Sequence, residues 1–340
     1  MARWRKRVAI GVFLCALVAA AWLFGPFGDR DFSATPNPAV TYEDALSRIG
    51  LVQAAENTPI IAERGRSIAL VHGSKTATSV VIFHGFTACP KPFTTIARGY
   101  YDAGYNVWVP RAPEHGYADY LTEAPANITA TSLRDYADDA VDVAVGLGEH
   151  VEVVGLSGGG TLAMWAIVER PEVERAVAIS PLLHPKTGLP VWQMRPLGRL
   201  AALGLLRGMW RWWDPVLKGS PERQLIDPNP YPRGNVNAML EYLSIGRWLR
   251  DSRTGEGPPA GALTLVVNEH DPNIDDVYNV DTALALMDGQ RIRTVEIPDR
   301  EGLGHDLVDP QGENRTKIRA SYFYLGEALG VRLGDPLAQK

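Results

Sequence analysis

Three side chains in this sequence have the types and surroundings for nucleophilic acyl transfer: Ser157, Asp271 and His305. Ser157 is the centre of Gly155-Leu156-Ser157-Gly158-Gly159, which lies between the apolar, β-branched run Val151 to Val154 and a helix-compatible segment, Thr161 to Glu169. A Gly-x-Ser-x-Gly in that context predicts a strand-to-helix turn too tight for side chains at its flanks, with the serine hydroxyl exposed at the tip. A serine hydroxyl is a weak nucleophile at neutral pH and needs a general base, itself oriented by a third group. Of the seven histidines, His305 is best placed as the base, because Glu301-Gly302-Leu303-Gly304-His305 is a Gly-rich loop between the last predicted strand and the last predicted helix. Such a loop reaches over the carboxyl edge of a parallel sheet.

For the orienting acid, Asp271 comes just after the apolar strand Leu263 to Val267, past only Asn268, Glu269 and His270, at the same edge. Asp275 and Asp276 are rivals a turn later, where carboxylates more often cap and open a helix. Asp306 is a further candidate, disfavoured because neighbouring side chains rarely reach the required geometry. Acyl transfer develops negative charge on a carbonyl oxygen, which calls for two preorganised N–H donors. The backbone amides of Gly158, after the nucleophile, and Phe86, after a strand ending in His84-Gly85, are the candidates. His84 itself reads as structural, while His115 and His270 are candidates for places behind the reacting groups.

The elements that must hold these groups alternate. Strands are predicted near Ile60 to Glu63, Ile68 to His72, Val80 to His84, Asn106 to Val109, up to Gly155, and at Ala176 to Ile179. Helices are predicted at Phe93 to Ala103, Ser132 to Leu147 and after Ser157. The alternation resumes with Leu263 to Val267, a helix near Val277 to Met287, Ile292 to Ile297 and a closing helix, Glu313 to Leu329. This order predicts an α/β fold with a mainly parallel sheet covered by helices. Between them, residues 184–259 carry no strand–helix alternation but hold five of the nine tryptophans, Trp192, Trp210, Trp212, Trp213 and Trp248, with Arg199, Arg207 and Arg211. The expected organisation is therefore a core of residues 59–183 and 260–332 and a helical Trp-rich cap, 184–259. Trp212 and Trp213 are candidate substrate contacts; the alternative is that the tryptophans form the cap's own core.

Residues 1–28 read as a membrane anchor or signal segment and 29–58 as a linker with a short helix. Arg3, Arg5, Lys6 and Arg7 precede an uncharged run, Val8 to Gly25, long enough to cross a bilayer, and this charge bias places the rest of the chain on the extracytoplasmic side. The expectation is a single-pass inner-membrane anchor; the alternative is a secreted chain, cleaved after Ala19-Ala20-Ala21. The chain carries a formal net charge of −5, and about −9 beyond the anchor's four cations, which argues against a nucleic-acid partner. Its two cysteines, Cys15 in the apolar run and Cys89, are not expected to pair. Metal or nucleotide chemistry is not indicated: no His-x-x-x-His or paired-Cys motif occurs, and Gly158-Gly159-Gly160 lacks the Lys-Ser/Thr of a phosphate-binding loop. No cofactor is expected.

On His84-Gly85-Phe86-Thr87, Gly155 to Gly159, Pro110-Arg111 with Glu114-His115-Gly116, Asp271, and Gly304-His305-Asp306, the chain resembles the α/β-hydrolase superfamily from about Ile60 to Leu329. It looks most similar to bacterial serine esterases and monoacylglycerol-lipase-like members. The resemblance implies an eight-stranded sheet with a helical cap inserted after the sixth strand, and an acyl-enzyme on Ser157 that hydrolyses a carboxylic ester, of the acyl-lipid or monoacylglycerol type given the apolar cap and tether. Two alternatives use the same fold: an acyltransferase passing the acyl group to an alcohol or amine, and a non-catalytic envelope binding protein.

Overall fold

The computed structural model describes residues 2–25, 30–186, 190–218, 220, 222–253 and 259–338. Buried β-branched and alanine-rich runs form a seven-stranded sheet: β1 (Ile68–Leu70), β2 (Thr76–Phe83), β3 (Asn106–Val109), β4 (Gly148–Leu156), β5 (Val173–Ile179), and, after the short β6 (Trp210–Trp212) and β7 (Arg233–Asn235) elsewhere, β8 (Ala262–Asn268) and β9 (Ile292–Ile297). Their order is β1-β3-β2-β4-β5-β8-β9, with every neighbouring pair parallel except β1 against β3.

Period-two alternation splits the strands between two cores. Val81 and Phe83 of β2 and Val151 and Val153 of β4 face helices α2 (Tyr42–Glu56), α4 (Ala130–Leu147) and α5 (Gly158–Glu169). Val80 and Ile82 with Val154 and Leu156 face α3 (Thr94–Asp102) and the last helix, α9 (Ile318–Leu329). The chain runs from β2 outward to β3 and then returns to β4 on the other side of β2, so the carboxyl ends of β2 and β4 form a switch point, where ligands bind in open α/β sheets. Phe83 pairs with Gly155 there, which brings the loop at 84–87 and the turn at Ser157 side by side.

Several differences from the sequence expectations have physical causes. Ile60 to Glu63 is not an eighth strand: Ile61 makes one bridge to Tyr117, and a tight helical turn comes next over Glu63–Gly65. Arg64 donates to the Tyr117 and Asn229 carbonyls at 2.9 and 3.4 Å, drawing this stretch onto a loop and away from the sheet edge. The inserted segment consequently comes after the fifth strand of the sheet. The closing helix starts at Ile318, later than Glu313, because Glu313 and Asn314 accept hydrogen bonds from the backbone amides of the His305 loop.

The insertion is not purely helical. Beside α6 (Met194–Ala202) and α7 (Val236–Trp248) it contains β6 and β7 as an antiparallel pair, with the Arg233 guanidinium over the rings of Trp210 and Trp212 at 4.2 and 5.6 Å. Helix α7 is a structural part of the main core through Leu240, Tyr242, Leu243 and Ile245. Of the five tryptophans, Trp248 is buried, whereas Trp192 and Trp213 are exposed.

Residues 30–40, expected as linker, form a strap. Trp165 Nε1 donates to Phe32 O, and the Thr35 and Asn37 amides donate to Asp138 and Asp142. Those two carboxylates are themselves paired with the fully buried Arg170 at 2.5 and 2.7 Å. Before the strap, α1 (Ala2–Phe24) holds a span, Trp4–Phe24, that is long and apolar enough to cross a membrane and is not buried in the protein. Twenty-one residues at a helical rise of about 1.5 Å reach about 31 Å, a bilayer core's thickness.

Candidate active site

Ser157 sits between the last residue of β4 and the first of α5 with φ 56° and ψ −117°, in the left-handed half of backbone space that non-glycine residues rarely occupy. The turn is held from three sides: Ser157 N donates to Ile179 O, and Ser157 O accepts from Thr161 N and Leu182 N. It needs glycine at its flanks. A Cβ on Gly155 would lie 2.0 Å from Gly159 O, and one on Gly159 would lie 2.1 Å from Phe83 O. Helix α5 can thus cross close enough to β2 and β4 to point its first amides at the sheet edge.

The neighbouring loop is equally fixed. His84 Nδ1 donates to Gly85 O at 3.0 Å and His84 Nε2 accepts from Ala112 N at 2.9 Å. His115 Nδ1 donates to Pro113 O at 2.7 Å, and its Nε2 accepts from Thr87 N at 3.2 Å. Burial pushes both imidazoles down, His84 to about 3 and His115 to about 4, so both stay neutral at physiological pH. These histidines fix the path of Gly85-Phe86-Thr87. Tyr231, from the inserted segment, adds a stitch: its amide donates to Thr87 O at 2.9 Å and its ring stacks on His115. Among the described residues, neither Phe86 N nor Gly158 N donates to another protein group, and the two backbones adjoin: a Cβ on Gly158 would lie 3.2 Å from Phe86 N.

On the other side of the elbow, His305 Nδ1 donates to Asp271 Oδ2 at 2.7 Å. Asp271 is fully buried, and its Oδ1 accepts from Asn273 N and Ile274 N. Burial by itself would lower the His305 pKa, but the hydrogen bond and charge of Asp271, with the carboxylates of Asp306 and Glu313, outweigh it and raise the pKa above its usual value. The hydrogen bond also fixes the tautomer, leaving Nε2 free to accept a proton.

The His305 loop is locked by groups that the sequence did not single out. Asn268 Nδ2 donates to the Leu303 and Gly304 carbonyls. Asn314 accepts from Gly304 N and donates to Gly304 O and Asp306 O, while Glu313 accepts from Asp306 N. Asp275 caps α8 (Asp276–Leu286) by accepting from Tyr278 N. Asp276 begins that helix with its carboxyl pushed up to about 7, by burial first and then by the charge of Asp271. Asp306 accepts from Val308 N and Asp309 N, and His270 lies exposed with Asp299, apart from the buried pairs.

Ser157 and His305 line one cavity of about 600 Å³, with Phe86, Leu182, Met239 and Ile274 among its walls. Lys186 also borders it and donates to the Asp271 carbonyl. Trp213 lines it too, whereas Trp212, expected beside it, lies in β6 against Arg233 and off the cavity wall. Among the described residues no group of histidine, cysteine and carboxylate side chains is arranged to hold a metal ion.

Comparison with known proteins gives a family and a fold. Residues 80–316 match the family described as alpha/beta hydrolase family. A thermostable monoacylglycerol lipase from Bacillus sp. (strain H-257) is 31% identical over 109 residues, which are 30% of this chain and span 39% of that protein's length. Among solved structures, a soluble variant of the Saccharomyces cerevisiae monoglyceride lipase, in complex with a substrate analog, superposes with a TM-score of 0.56 at 12% identity, over 79% of this chain and 96% of that one. The Paleococcus ferrophilus monoacylglycerol lipase does so with a TM-score of 0.54 at 16% identity, over 76% and 97%. At these identities the structural likenesses speak for the fold.

Proposed function

The chain belongs to the alpha/beta hydrolase family, and on that premise we propose that it hydrolyses carboxylic esters through an acyl-enzyme on Ser157. The observation that carries this reading is the His305–Asp271 pair, 2.7 Å apart, with His305 on the same cavity as a serine held in a strained glycine-flanked turn. Ser157 Oγ attacks the ester carbonyl while His305 Nε2 takes its proton; Asp271 holds the imidazole and stabilises the imidazolium. The uncommitted amides of Phe86 and Gly158 receive the oxyanion. His305 then returns the proton to the leaving alkoxide, and a water activated in the same way releases the acid.

The cavity's walls, mainly apolar with charged residues such as Lys186, Arg211 and Glu313 among them, and its size, within the range that buries a drug-sized ligand, favour an acyl chain over a small polar acid. The Bacillus monoacylglycerol lipase, 31% identical over 109 residues, points to a glycerol monoester of that kind. Helix α1 is read as a retained anchor with the hydrolase on the extracytoplasmic side, consistent with the basic residues before it. The test is turnover of p-nitrophenyl esters from acetyl to palmitoyl by the full chain, with Trp213→Ala alongside. Turnover peaking at medium or long chains, and moving toward short ones in Trp213→Ala, supports the reading; an absence of turnover across the series overturns it.

A further inference from the structure

The inserted segment carries an unusual share of exposed apolar side chains. Val191, Trp192, Leu203, Leu205 and Met209 are each about half exposed or more, within a stretch of nineteen residues. Patches of this kind on a folded protein mark a partner or a membrane. What identifies the partner here is the way this stretch meets α1.

Helix α6 grips the exit end of α1. Arg195 Nη1 and Arg199 Nη2 donate to the Gly25 carbonyl at 3.0 and 2.8 Å, satisfying an acceptor that the end of a helix leaves unpaired. The Arg199 guanidinium lies over the Trp22 ring at 5.5 Å, and Trp192 packs on Phe24 at 6.0 Å between centroids. Trp192, Arg195, Arg199 and Leu203 have the three- and four-residue spacing of one helical face, so the face that meets the anchor has exposed apolar side chains at both ends.

This geometry fixes a depth. If α1 spans the bilayer, its last turn is at the interface, and Trp22 is three residues, about 4.5 Å, below Gly25. Side chains touching Trp22 and Phe24 then lie at the level of the headgroups and upper acyl chains, where tryptophans collect. The domain cannot swing away on a tether. Gly25 is held on α6 and Arg30 is paired with the buried Glu241 of α7 at 2.7 Å, with only four residues between them, about 18 Å of chain at full stretch.

We propose that the exposed apolar stretch from Val191 to Met209 and the exit turn of α1 form one surface seated in the outer face of the anchoring bilayer. The short strand β6 leads from Met209 directly to the exposed Trp213, which lines the cavity, and the ester substrate therefore enters from the lipid phase. This last step rests on the reading of the chain as an ester hydrolase; the seating rests only on α1 spanning the membrane.

The experiment uses the full chain in phospholipid nanodiscs, in a Cys15→Ser background that leaves only the buried Cys89. An environment-sensitive NBD probe is attached at Leu205→Cys or, on the exposed surface of α9, at Phe323→Cys. The proposal predicts that the probe at 205 is quenched by lipid carrying a nitroxide near its headgroup and shielded from aqueous iodide, and that the probe at 323 behaves in the opposite way. Iodide quenching at 205 equal to that at 323 would overturn it, as would protection from both quenchers, which would mean that a protein covers the patch. Joint substitution of Leu203, Leu205 and Met209 by aspartate is expected to slow turnover of a long-chain ester dissolved in the disc at least tenfold and to spare a water-soluble short-chain ester. Equal turnover of the disc-borne ester by this variant and the parent would overturn lipid-phase entry. If the parent cleaves neither ester, the hydrolase reading fails and the quenching still judges the seating.

Discussion

Two histidine-bearing regions flank Ser157, one fully buried and one opening onto the cavity, and their imidazoles shift in opposite directions. Under the 84–87 loop, His84 and His115 bond only backbone groups, and burial drives them to about 3 and about 4. Across the cavity His305 is desolvated too, yet a carboxylate at 2.7 Å carries its pKa above the usual value. Burial alone therefore turns an imidazole into a neutral strut. Burial beside a buried carboxylate makes one that can take up a proton during a reaction and hold it.

The largest effect expected from breaking this contrast is on the reacting side. Ser157→Ala or His305→Ala should reduce kcat by roughly 10⁴ to 10⁶ while the thermal melt stays close to the parent's, checked by ester turnover and calorimetry. Asp271→Asn should reduce kcat by roughly 10⁴. It should also move the acid limb of the kcat/KM profile to lower pH, because the charge that raises the His305 pKa is gone; a limb that stays in place would contradict the assignment.

On the strut side the effects are on stability. His84→Leu leaves the Ala112 amide without its acceptor and should cost about 1–3 kcal/mol in denaturant unfolding. The sign of the pH dependence comes from the depressed pKa values: the unfolded chain binds protons on these histidines near pH 6.5 and the folded chain does not. Stability is therefore complete above about pH 6.5 and falls by at most about 1.4 kcal/mol per pH unit for each histidine below it. Activity, limited by His305, should fall at higher pH than the fold does. The smallest effect should come from Asp276→Asn: it removes a carboxyl already half-neutral at about 7, and kcat should stay near the parent's if Asp271 is the orienting acid.

Sequence is most legible where local chemistry dictates local structure. The glycines around Ser157, the acid just past an apolar strand and the histidine in a Gly-rich loop are each visible within a few residues, and the structure brings Asp271 and His305 into contact and places Ser157 on the same cavity. The parts that were not legible depend on partners far away in the chain. Asn314 and Glu313 read as the start of a helix, but their side chains are committed to the His305 loop. Tyr231 meets Thr87 and His115 across more than a hundred residues, and the strap at 30–40 is held by carboxylates of α4. The Trp-Arg-Trp of β6 carries no helix-breaking signal, and its pairing with β7 depends on Arg233 between two indoles.

The whole mechanism turns on Ser157 being the nucleophile that His305 activates. The most direct measurement is labelling of the full-length protein with a fluorophosphonate, with peptide mass spectrometry of the products, for the parent, Ser157→Ala and His305→Ala. One adduct is expected, on Ser157, abolished in Ser157→Ala and formed far more slowly in His305→Ala. An adduct on another residue, or none in folded parent protein, would contradict that role.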